Sequence, residues 1–103
     1  MSVEEREPGH FRLLPWTGEQ GKPCYVLTDG SGHVSRVADT IEVVQLGMAE
    51  DLLGHAAALL ADRTAGNIEL HFLASRLTES LREVKRIADS RAMRLGDRSG
   101  EHP

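Results

Sequence analysis

The chain has 103 residues, 40% of them hydrophobic and 27% charged, with a formal net charge of −4. That length supports one domain core, and the acidic balance excludes a protein built to coat nucleic acid by overall basicity. A single cysteine, Cys24, excludes an intramolecular disulfide framework.

Residues 1–10 are acidic and end in Pro8-Gly9-His10. They read as a disordered tail rather than a secretory or transit leader. Residues 11–38 read as strands and turns. Phe11-Arg12-Leu13-Leu14 has strand character, and Pro15 ends it or confines it to an edge. Residues 17–23 carry two glycines and a proline and form a loop. Cys24-Tyr25-Val26-Leu27-Thr28 is β-prone, and Asp29-Gly30-Ser31-Gly32 is a turn. His33-Val34-Ser35-Arg36-Val37 follows with an imperfect alternation, which predicts a β-hairpin over 24–37. A lone hairpin must pack on something to be stable.

A first helix is predicted over 39–63, opened by a capping box from Asp39 to Glu42. Ile41, Val44, Met48, Leu52, His55 and Leu59 form one apolar stripe. Leu46, Ala49, Leu53, Ala56 and Leu60 form a second stripe beside it. Gly47 and Gly54, seven apart, predict close approach of another backbone, from the hairpin or a second subunit. A short connector around Gly66 leads to a second helix over 67–95, with Leu70, Leu73, Leu77, Leu81 and Val84 on its apolar face. Gly96 is predicted to end it, leaving 96–103 as a disordered tail. Residues 11–95 thus make one α+β, mostly α domain, a short hairpin followed by a long antiparallel two-helix hairpin.

Chemistry is sparse in this sequence. No pair among Cys24, His10, His33, His55, His71 and His102 has zinc-site spacing, so neither metal nor cofactor is expected. Cys24 and His33 could face each other across the predicted hairpin, where an imidazole would activate the thiol; a buried structural cysteine is the simpler reading. Glu50 and Asp51 diverge on a helix and share no site. Gly18-Glu19-Gln20-Gly21-Lys22 runs into proline and a strand, the wrong context for a phosphate loop. His55 and His71 read as interface histidines, about one helical turn out of register with each other. Four aromatic residues supply no base-stacking platform. The end of the second helix is basic: Arg82, Lys85, Arg86, Arg91 and Arg94 stand against Glu83 and Asp89. Those cations complement a helix C-terminus, or contact phosphates.

Several segments carry a resemblance: Leu14-Pro15-Trp16-Thr17-Gly18, Gly21-Lys22-Pro23-Cys24-Tyr25, the run from Ala38 to Met48, and Arg86-Ile87-Ala88-Asp89-Ser90-Arg91. Together they resemble small uncharacterised proteins of actinomycetes, over roughly residues 12–95. The resemblance implies a bacterial origin and brings no activity, ligand or catalytic residue.

Two wide apolar faces cannot be buried on each other alone. The expectation is therefore a homodimer forming a four-helix bundle, with Ile41, Val44, Met48, Leu52, Leu59, Leu73, Leu77, Leu81 and Val84 as core or interface. The corresponding function is a non-enzymatic interaction or regulatory module with an unidentified protein partner. The alternative is an accessory nucleic-acid-binding protein using Arg82, Lys85, Arg86, Arg91 and Arg94. The lone thiol fits a reducing cytoplasm. The longest strongly apolar stretch, Ala56–Ala61, is far below the ~20 residues of a spanning helix, so no membrane role is expected.

Overall fold

The computed structural model describes residues 9–100, with side chains described as far as Gly96. Most of the expected N-terminal tail and the last three residues lie outside the described residues. Two strands, β1 (His10–Thr17) and β2 (Pro23–Thr28), precede two helices, α1 (His33–Ala61) and α2 (Asn67–Gly100). The class is α+β, mostly helical: an antiparallel two-strand hairpin followed by a two-helix hairpin.

The hairpin differs from the predicted one. β2 pairs back onto β1, with Phe11 opposite Leu27 and Leu13 opposite Tyr25. Residues 33–37 do not form a strand; they are the first turns of α1. The turn before them has the chemistry its sequence announced. Asp29 Oδ1 accepts from the Ser31 amide at 2.9 Å and the Ser31 hydroxyl at 2.6 Å, and Gly30 and Gly32 take φ of 95° and 103°. It sends the chain into a helix instead of a strand. Val34 and Val37, three apart and out of phase for a strand, carry the helical period.

Pro15 does not end β1. Leu13 pairs with Tyr25 and Thr17 with Pro23, so four residue steps on β1 oppose two on β2. That irregularity accommodates a residue with no amide hydrogen. β1 is an edge strand, as each strand of a two-stranded sheet is, yet Arg12, Leu13, Leu14 and Pro15 are buried in succession, and Ser90 of α2 donates to the Leu13 carbonyl at 2.9 Å.

Asp39 and Glu42 do not cap α1, which starts six residues earlier than predicted, after Gly32. Gly96 does not stop α2 either. A glycine inside a helix costs only about 1 kcal/mol, too little to end one by itself.

The inward face of α1 reads Ser35, Ala38, Glu42, Gln45, Ala49, Leu52, Ala56 and Leu59, all buried or half-buried at alternating spacings of three and four. On α2 the matching positions are Leu73, Leu77, Ser80, Val84 and Ile87. The α1 seam is made largely of small and polar residues, which let a neighbouring backbone approach closely. The large apolar residues of α1 lie to either side of it. The molecule is elongated, 66 × 32 × 20 Å, with a radius of gyration of 18.3 Å. A compact domain of this length would have about 13 Å.

Candidate functional site

The sequence gives Arg12 no prominence, yet it organises the hairpin end of the molecule. Leu13 and Leu14 bury β1 against the helices, and the alternation of the strand turns Arg12 toward α1. Its residue is only 3% exposed. Nη1 donates to the Ser35 carbonyl at 3.1 Å, and Nη2 lies 2.7 Å from Asp39 Oδ1 and 3.3 Å from Glu42 Oε2. The Glu42 side chain is as buried as that of Arg12, whereas that of Asp39 is 61% exposed. Arg12 Nε makes no hydrogen bond. Around this hub Thr28 and Ser35 share a hydroxyl hydrogen bond of 2.8 Å, and Gln45 donates to the Pro15 carbonyl at 3.0 Å. Three successive elements are thereby tied together by polar groups at the buried end.

Beside the hub, the hairpin and the end of α2 enclose a cleft of about 620 Å³. Arg12, Arg91 and Arg94 line it together with Asp29 and Asp39; Phe11 and Leu95 are its apolar components.

The five cations proposed for nucleic acid do not form one surface. At about 100° per residue, Arg82 and Lys85 point away from the side of α2 that carries Arg91 and Arg94, and Arg86 lies between the two groups and does not line the cleft. Lys85 is already paired with Asp89 at 2.8 Å, and Arg91 and Arg94 face the cleft.

The expected interface residues also divide. Leu52, Leu59, Leu73, Leu77 and Val84 lie at or near the seam between the helices, and Ile41 is half-buried on its flank. Val44, Met48 and Leu81 remain 54%, 50% and 69% exposed. Val43, Leu53 and Leu60 are also uncovered. Among the described residues nothing lies within 4 Å of a Cβ built on Gly47 or Gly54 beyond their own helix. His55 and His71 are exposed, as are Glu50 and Asp51.

Cys24 and His33 are not brought together. The Cys24 thiol packs over Gly18 at the turn end of the hairpin, while His33 opens α1 beyond the far end of β2. No group of three or more potential metal ligands occurs among the described residues. Hydrogen bonds from the Thr64 hydroxyl (2.6 Å) and amide (2.9 Å) hold the exposed Asp62 carboxyl below the ordinary range.

α1 as a whole does what its short apolar stretches do not: by length and composition it is long and apolar enough to cross a membrane, with an 18-residue window of mean hydropathy 1.2. Core helices of soluble proteins meet the same criterion but are mostly buried, whereas only 6% of this window is; Arg36, Asp39 and Glu42 crowd the first turns. Searches against protein families, curated proteins and solved structures return no match for this chain.

Proposed function

We propose that the protein is a non-enzymatic interaction module that works as a homodimer. Its two helical hairpins pack as a four-helix bundle and present the remaining helical surface to a partner. The observation that supports this is the uncovered apolar flank of α1. Val43, Val44, Met48, Leu53 and Leu60 are each half-exposed or more, to either side of the seam that α1 turns toward the rest of the chain. Isolated surface hydrophobes need no explanation, but this many large apolar residues left open on two sides of one helix support an interaction surface. The open faces of Gly47 and Gly54 leave room for another helix to approach closely.

Light scattering behind a sizing column tests the reading. The expected mass is twice the 11.3 kDa of the chain, held across a concentration series. Val44→Glu with Met48→Glu is expected to halve it while helicity persists. A wild-type monomer at every concentration overturns the dimer. Nucleic-acid binding through the basic end of α2 predicts instead a salt-dependent gel shift that Arg82→Ala with Arg86→Ala abolishes.

A further inference from the structure

We propose that the cleft between the hairpin and the end of α2 binds a small monoanion with an apolar body, such as an aryl or alkyl carboxylate. At about 620 Å³ the cleft falls within the roughly 300–1,000 Å³ of small-molecule sites. Arg91 and Arg94 are three residues apart on α2, so their side chains rise from one side of the helix. Neither has a hydrogen-bond or ion-pair partner among the described residues. Both line the cleft with the buried guanidinium of Arg12, whose terminal nitrogens are fixed by Ser35, Asp39 and Glu42. Arginine is suited to planar, two-point recognition of a carboxylate. The apolar component comes from Phe11 and Leu95, which line the same cleft while 62% and 60% exposed.

The acidic residues limit the charge of the ligand. Asp29 and Asp39 also line the cleft, so a polyphosphate or a nucleic-acid backbone would meet carboxylates as well as arginines. A single negative charge satisfies Arg91 and Arg94 without that repulsion. The carboxylates also offer acceptors to a hydroxyl or amine on the body of the ligand. None of the lining residues belongs to the uncovered flank of α1, so the cleft stands or falls independently of the dimer.

The test is an NMR titration of the full chain with 3-phenylpropanoate at constant ionic strength. Acetate and 3-phenylpropanol serve as the two halves of the probe. Saturable shifts are expected at Phe11, Thr28 to Gly30 and Arg91 to Leu95, with binding at least about tenfold weaker for either half, a difference of about 1.4 kcal/mol. Arg91→Ala with Arg94→Ala is expected to weaken binding about tenfold or more with an unchanged circular dichroism spectrum. Leu95→Ala is expected to weaken 3-phenylpropanoate and leave acetate unaffected. Arg82→Ala with Arg86→Ala is expected to bind as the wild type does. The proposal is overturned by an absence of saturable shifts in the cleft, or by shifts confined to Val43, Val44 and Met48. Acetate binding as tightly as the full probe overturns it too, as does an equal loss in the Arg82/Arg86 variant.

Discussion

Arg12→Met should be among the most damaging single substitutions in this protein. The guanidinium is buried beside an equally buried carboxylate, Glu42, at 3.3 Å. Methionine fills much of the volume but leaves Glu42 without its cation and the Ser35 carbonyl without the donor at 3.1 Å. Removing one partner of a buried ion pair costs about 3–5 kcal/mol, against a total stability of about 5–15 kcal/mol for a domain. Asp39 offers an internal contrast. It makes the shorter contact, 2.7 Å, but its side chain is 61% exposed, so Asp39→Ala should cost only about 1 kcal/mol. The double substitution Arg12→Met with Glu42→Met removes both buried charges and should recover about 2 kcal/mol or more of the sum of the single costs. Urea unfolding followed by circular dichroism, at one fixed protein concentration, reads these three variants and the single Glu42→Met. The reasoning would be refuted by an Arg12→Met variant within about 1 kcal/mol of wild type, or by a double variant whose cost equals that sum.

Other substitutions probe other links. Gly47→Ala and Gly54→Ala should each lower the melting temperature, because the proposed second helix packs against those glycines; within the chain the added methyl meets nothing within 4 Å, so a gain of about 0.5–1 kcal/mol instead would show that no second helix approaches there. Ala38 is 0% exposed in the seam, so Ala38→Leu should overpack it and cost about 1–3 kcal/mol in urea unfolding, whereas the same change at the exposed Ala57 should be close to neutral. Ser90→Ala should cost about 1 kcal/mol through the lost hydrogen bond to Leu13, read by the same assay. Thr64→Ala should raise the Asp62 carboxyl toward its ordinary value of 3.8, followed by carboxyl NMR against pH. Because the folded value is the lower one, the stabilisation is present above the ordinary value and is lost as pH falls through the folded one. Neutral-pH measurements should not reveal a pH dependence from this group.

Local rules carry a good part of this architecture. The Asp29-Gly30-Ser31-Gly32 turn, the β2 strand and the short link before Asn67 follow from turn chemistry and propensity within a few residues. The two helices follow from three-four periodicity sustained over several turns. The strand reading of 33–37 fails because Val34 and Val37, three apart, fall on opposite faces of a strand but on one side of a helix, and the turn before them outweighed that spacing. The cleft was hidden for a different reason. Arg12, Arg91 and Arg94 are far apart in the chain, and Arg12 looks like an ordinary strand residue until β1 is buried. The separation of Arg91 and Arg94 from Arg82 and Lys85 is present in the spacing itself; a count of charges over the run conceals it.

The sequence by itself therefore determines that two long helices form, where the connector falls, and that α1 is apolar over more of its circumference than one partner helix can cover. It does not choose which part of that circumference faces inward. The tertiary structure makes that choice with the smaller side chains. Ala38, Ala49 and Ala56 face inward, and the larger residues Val44, Met48 and Leu53 are left outside. The buried guanidinium of Arg12 reinforces the choice. It requires carboxylates, and it draws Asp39, 27 residues away, and Glu42 out of the capping role that local spacing suggests. A face that is apolar nearly all round has no preferred inward direction of its own; backbone proximity and one charge that must be paired supply it.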